Sequence, residues 1–231
     1  MAKQNAKQQE TVATETVSKT ESFFENNNKV IMWILATLCV VVCAVFAFKY
    51  LYLDPREDKA ADMIFEPQYY FAQGQYELAL NGDENSAGFL EVADTYGGTK
   101  YGNLAKYYAG VCYLKTGDLD NAALYLSKYK SVSKKSLPGQ IINAQCYGLQ
   151  GDIAVDKGDY NTALKFYEKA IKASNNEYFT PLYMYKKALV HEKLGSTDEA
   201  KELYEQIITS YPESALETDA QKRLGVLSQT K

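Results

Sequence analysis

The first 29 positions are mostly polar, and the run that follows, 30–48, carries no charge: VIMWILATLCVVVCAVFAF. As a helix this run spans roughly 28 Å, close to the hydrocarbon thickness of a bilayer. Trp33 stands near one end, and Tyr50 and Tyr52 flank the other, as residues of an aromatic belt do. The alternative is a buried core helix, but soluble helices rarely go so long without polar residues. A cleaved signal fits worse, because its apolar core is about 7–15 residues long. Cys39 follows Thr37-Leu38 and Cys43 follows Val41-Val42, so neither has the small residues that precede a lipoprotein cysteine. The pattern therefore predicts a signal-anchor helix over 30–48 and a linker over 49–54. In 1–29, Lys3, Lys7, Lys19 and Lys29 balance Glu10, Glu15, Glu21 and Glu25, and the expectation is a disordered polar tail. Phe23 and Phe24 would dip into the headgroups. Lys19 and Lys29 precede the run while Lys49, Arg56 and Lys59 follow it, so the positive-inside rule gives no orientation.

Beyond residue 54 the pattern changes to helical periodicity punctuated by glycine. Three segments share one spacing. The first is Gly110-x2-Tyr113, Gly117-x-Leu119-x2-Ala122, then Leu126. The second is Gly151-x2-Ala154, Gly158-x-Tyr160-x2-Ala163, then Tyr167. The third is Ala188-x2-His191, Gly195-x-Thr197-x2-Ala200, then Tyr204. Two antiparallel helices explain it. Gly110, Gly151 and Ala188 allow close approach. Gly117, Gly158 and Gly195 end the first helix in the left-handed region. Asp118, Asp159 and Ser196 cap the second helix, with Ser196-x-x-Glu199 as a capping box. Ala122, Ala163 and Ala200 sit at the tightest crossing, and Leu126, Tyr167 and Tyr204 fill the seam one turn on.

This spacing resembles the tetratricopeptide repeat. The resemblance implies an all-α fold, a solenoid of helical hairpins. There are departures: the key alanines lie 41 and 37 residues apart, where the family has 34. The extra residues are expected in the loop 134–139 and around Asn175-Asn176, and the family's inter-repeat proline survives only as Pro212. The organisation expected for 55–231 is a degenerate unit over 55–97, repeats over 103–136, 144–177 and 181–214, and a capping helix over 214–227. In the degenerate unit Gly74-x-Tyr76-x2-Ala79 keeps the turn, but Pro67 takes the small-residue position. Asn81-Gly82-Asp83 breaks the second helix, and a replacement helix is expected over 86–96. Asp54-Pro55 reads as a helix start.

Composition narrows the function. With 46% hydrophobic residues and 20 tyrosines the chain can build a large core. Twenty-five basic against 29 acidic residues, net −4, argue against a nucleic-acid partner. One histidine excludes a multi-histidine metal site, and four cysteines are too few for a disulfide scaffold. Gly98-Thr99-Lys100 lacks the rest of a phosphate loop, and no nucleophile elbow, zinc-protease or kinase motif occurs. We therefore expect no catalytic, cofactor or metal site, no small-molecule substrate and no enzyme. His191 takes a position where the repeat has a packed tyrosine. Cys112 and Cys146 read as buried free thiols, with a disulfide between them as the alternative.

By the repeat pattern, the groove face that could bind a protein comprises Leu104, Tyr107, Val111, Leu114, Asp152, Val155, Leu182, Tyr185 and Leu189, with an acidic spot at Asp152 and Asp156. The alternative for part of this set is packing between repeats. Tyr107 and Val111 stand where members that clamp a terminal carboxylate have lysine and asparagine, which argues against a co-chaperone of that kind. The order of tail, single span and C-terminal repeats resembles the ancillary subunit of the bacterial Sec translocon, as do the stretches 96–105, 110–114 and 211–215. That resemblance implies a bacterial inner-membrane protein held by one N-terminal span, with its N-terminus cytoplasmic and its repeats periplasmic. It implies protein partners: translocon subunits and exported or unfolded polypeptides. The alternative is a scaffold subunit of another envelope complex, in outer-membrane assembly, division or motility.

Overall fold

The computed structural model describes residues 27–133 and 135–229. The expected tail over 1–26, with Phe23 and Phe24, and Lys134 of the inserted loop lie outside the described residues. The chain divides into two units, Met1–Arg56 and Glu57–Lys231. Among the described residues there is no strand, only an isolated bridge between Gly82 and Ala87.

In the first unit the apolar run forms helix α1 (27–48). It is the one helix among the described residues long and apolar enough to cross a membrane, and none of its apolar window is buried. The stretch expected as a linker is helical. Lys49–Leu53 form a π-helical turn, in which the Asp54 N–H reaches the Lys49 carbonyl five residues back. Pro55 accounts for the widening: it has no N–H to donate, and its ring crowds the carbonyl four residues earlier. The α-helix expected to start at Asp54-Pro55 does begin at Asp54, but in continuity with this turn. Phe46 stacks on Tyr50 (centroids 6.1 Å) and Phe48 on Tyr52 (5.2 Å). Lys49 and Arg56 sit over the Tyr50 and Tyr52 rings, each 5.3 Å from the centroid.

The repeat helices follow as α2 (Asp54–Met63), α3 (Phe65–Ala72), α4 (Tyr76–Asn81), α5 (Phe89–Thr95), α6 (Lys100–Thr116), α7 (Leu119–Lys128), α8 (Leu137–Asp156), α9 (Tyr160–Ala173), α10 (Phe179–Lys193), α11 (Thr197–Ser210) and α12 (Glu217–Gln229). From α3 on, contacts join helices adjacent or nearly adjacent in sequence, and α8 also touches α10. The buried residues accordingly form four successive clusters along the chain.

Four turns are built alike. Gly74, Gly117, Gly158 and Gly195 have φ of 76°, 87°, 75° and 76°. The residue after each glycine donates its N–H to the carbonyl five positions back: Gln75 to Tyr70 (3.0 Å), Asp118 to Tyr113 (2.9 Å), Asp159 to Ala154 (2.8 Å) and Ser196 to His191 (2.9 Å). These are Schellman closures. The degenerate first unit has the same one. Asp118 Oδ1 then accepts from the Asn121 N–H (3.0 Å) and Asp159 Oδ1 from the Thr162 N–H (3.1 Å), which caps α7 and α9. The capping box expected at Ser196-x-x-Glu199 does not form, and Ser196 makes no side-chain capping bond. Its own N–H is taken by His191, so Glu199 has nothing to reach back to.

Close approach is visible at the small residues. A Cβ on Gly110 would lie 2.6 Å from Leu126 Cγ, and one on Gly151 2.6 Å from Tyr167 Cε1. Ala122, Ala163, Ala188 and Ala200 have no exposed surface. Ala163→Leu should overpack its crossing and destabilise the repeat unit by about 1–3 kcal/mol. Urea unfolding checks this, and a variant as stable as the parent would mean a different helix register.

After α4 the chain turns at Gly82 (φ 79°) into a pinned loop. Asp83 Oδ2 accepts from the Tyr70 hydroxyl (2.6 Å), and Oδ1 accepts from the Asn85 and Ser86 N–H groups (2.8 Å each) and the Ser86 hydroxyl (2.9 Å). The Tyr70 bond, then these loop donors, hold the Asp83 carboxyl down to about 2. Its folded value lies below its unfolded one, so its stabilising contribution is complete above about pH 4 and is lost as pH falls towards 2. Asp83→Asn should melt lower than the parent near pH 6, and the gap should close only as pH falls to about 2. Melting curves across that range test it, and a gap that persisted at low pH would contradict it. The last helix, expected over 214–227, is observed at Glu217–Gln229. Ser214 lies in the preceding turn, where its hydroxyl accepts from the Leu216 N–H (3.3 Å).

Candidate functional site

The nine residues expected on the groove face do not form one continuous surface. Tyr107 and Val111 on α6 are buried, 9% and 8% exposed, in a cluster with Ala122, Leu126, Cys146 and Ile153. Leu104 and Leu114 pack against that cluster. For this part of the set, packing between repeats is what the structure shows. The Tyr107 hydroxyl donates to Gln145 Oε1 on α8 (3.0 Å), and burial pushes its pKa well above the ordinary phenol value. Leu182 packs against the cluster between α8 and α10. The Tyr185 ring lies 5.6 Å from that of Tyr204, whose hydroxyl donates to Glu192; Glu192 also pairs with Arg223 (3.2 Å).

Asp152, Val155 and Leu189 do come together. They line a pocket of about 300 Å³ with Tyr160, Tyr167, Lys186, Val190 and Lys193. Asp152 is its polar centre. Oδ1 accepts from the Tyr167 hydroxyl (2.7 Å) and from Lys186 Nζ (2.8 Å), and Oδ2 accepts from Lys186 at 2.7 Å. The expected acidic spot is thus half neutralised. Burial and the Asp152 charge both push the Tyr167 hydroxyl upward, so it stays a donor. Next to it stands Tyr183, 4% exposed, stacked between Tyr167 (6.4 Å) and Phe179 (6.3 Å). Tyr183 lies against Gly148, where a Cβ would meet its ring at 2.1 Å. That glycine lets α10 close on α8 and shape the pocket.

Lys186, Tyr183 and Gly148 were not among the residues singled out in the sequence. A signal existed for Lys186, since it follows Asp152 by 34 residues. The repeats here are 37 apart at this point, so Lys186 lies one turn short of the equivalent position and faces Asp152 from the next hairpin.

The remaining candidates are structural. Cys112 and Cys146 are free and buried, and burial pushes both thiols up to about 12. Cys146 Sγ donates to the Leu126 carbonyl (3.4 Å). His191 has a buried Nδ1 with no hydrogen-bond partner. Burial lowers its pKa, nearby Lys187 adds to this, and Glu199 opposes it. Among the described residues no group of three His, Cys, Asp or Glu side chains is placed to hold a metal ion.

A family model for the tetratricopeptide repeat-like domain matches residues 21–228, nearly the whole chain. The chain belongs to this family. A tetratricopeptide repeat-containing protein of Methanocaldococcus jannaschii is 30% identical over 106 residues, 46% of this chain. The chain spans only 17% of that relative's length. Among solved structures, the crystal structure of MamA protein superposes with a TM-score of 0.56 at 18% identity, covering 75% of this chain and 81% of that one. Tetratricopeptide-like repeats of a putative kinesin light chain from Podospora anserina give 0.55 at 14% identity, covering 75% and 86%. At these identities the two structures are similar in fold alone. Tetratricopeptide domains generally bind proteins, so this repeat unit is read as a protein-interaction module.

Proposed function

We propose that the protein is a membrane-anchored interaction module whose repeats hold exported or unfolded polypeptides beside a bacterial Sec translocon. Helix α1 would anchor it in the inner membrane, with the N-terminus cytoplasmic and the repeats periplasmic. The observation that carries the reading is the pocket between α8 and α10. Val155, Leu189 and Val190 give it apolar walls, and the Asp152–Lys186 pair removes net charge from its centre. Lys193 leaves one cation in the lining, away from that pair. A site with apolar walls and a neutralised centre suits a side chain of an extended polypeptide. Anchoring raises the effective concentration beside a membrane partner, so a weak pocket suffices.

The second reading is a scaffold subunit of another envelope complex. Burial of Tyr107 and Val111 favours it, because it leaves less open surface for a passing chain. Affinity purification from gently solubilised membranes separates the two. Translocon subunits together with a varied set of exported proteins support the first reading. One stoichiometric partner that survives high salt, without the translocon, supports the second.

A further inference from the structure

A different surface, at the start of the repeat unit, points to a second kind of partner. Phe65 and Tyr69 are 67% and 54% exposed, one turn apart on α3. The helical ladder continues through the junction with α2: Ile64 N–H reaches the Ala60 carbonyl (3.1 Å) and Gln68 N–H the Ile64 carbonyl (3.2 Å). Helical spacing therefore puts Asp58, Asp62, Phe65 and Tyr69 on one stripe. The opposite side, Ala60, Ile64 and Pro67, is buried. The first helices of the later hairpins pack between neighbours on both sides, whereas α3 packs mainly on α4. Its aromatic stripe is left open.

The surroundings say what would cover it. Beside the stripe opens a cavity of about 510 Å³ lined by Asp62, Glu66, Glu84 and Glu91 and closed by the Asp83 loop. None of those four carboxylates is in an ion pair among the described residues. Lys59 is the one cation on α2–α3 beyond Arg56. Two exposed aromatic rings with an anionic border on one side form an apolar anchor with a charged rim. We propose that this α2–α3 face docks a cationic helical segment of a partner protein, with apolar residues seated on Phe65 and Tyr69 and lysine or arginine side chains directed into the carboxylate-lined cavity. The rim would repel an anionic partner and speed the approach of a cationic one. The face is separate from the α8–α10 pocket and does not depend on what that pocket binds.

The test uses the full-length protein in nanodiscs and two synthetic helical peptides with the same leucine stripe. One carries lysines on its polar face and the other glutamates. Fluorescence anisotropy should show binding of the lysine peptide alone. Phe65→Ser with Tyr69→Ser should weaken it at least tenfold, and both sites are exposed, so the fold is retained. Asp62→Asn with Glu66→Gln should weaken it too and flatten its salt dependence. Leu189→Asp, in the other pocket, should leave it unchanged. No binding of the lysine peptide, equal binding of the glutamate peptide, indifference to the aromatic pair, or loss with Leu189→Asp would each overturn the proposal.

Discussion

Phe89→Ala is expected to cost the repeat unit about 3–5 kcal/mol, the usual range for emptying a buried aromatic site. Phe89 has no exposed surface. Its ring stacks on Tyr108 at 5.0 Å and meets Phe71 edge-on at 6.3 Å. It thereby ties α5, the helix that replaces the broken end of the first unit, to α3 and α6. Neighbouring helices cannot collapse into the space without losing both ring contacts. Urea unfolding of the full chain in detergent measures the loss. A cost below about 1 kcal/mol would mean that α5 is an appendage and the first unit no part of the core.

Lys186→Met is expected to act on the pocket itself. It leaves Asp152 charged and held only by the Tyr167 hydroxyl. The Lys186 and Asp152 side chains keep 32% and 30% exposure, so water offsets part of the loss. About 1–2 kcal/mol is expected, below the ~3–5 of a fully buried pair. Asp152→Leu combined with Lys186→Met should recover most of it, because neither charge is then left alone. A double-mutant cycle by thermal or urea unfolding reads the coupling. Additive single effects would mean that the pair is a surface contact and does not organise the pocket.

The hairpins were legible because each turn makes a demand that few residues meet. A left-handed residue must be followed by one that can start a helix, and Gly117-Asp118 and Gly158-Asp159 declare that locally. Gly74-Gln75 shows the same closure even where Pro67 and the short α4 obscure the repeat. The failed capping box at Ser196 has a local cause that sequence spacing hides: one N–H cannot serve both the Schellman closure and the box. The site was less legible. Whether a first-helix residue faces the open side or the next hairpin depends on how successive hairpins stack. Tyr107 and Val111 turn out to be buried with Leu126 of α7 and Cys146 and Ile153 of α8, across the 41-residue step between Ala122 and Ala163. Gly148 has no side chain to announce itself, yet it sets how closely Tyr183 and α10 approach α8. The Asp152–Lys186 pair joins two hairpins, so neither residue is informative alone.

The most direct test of the central claim, that the α8–α10 pocket receives polypeptide chains, is in-cell photocrosslinking from probes at Val155 and Leu189, read by mass spectrometry. Exported polypeptides of varied sequence, captured from both positions together with translocon subunits and reduced in Lys186→Met, are the predicted result. A single partner captured in fixed proportion, or capture that ignores Lys186→Met, would contradict it.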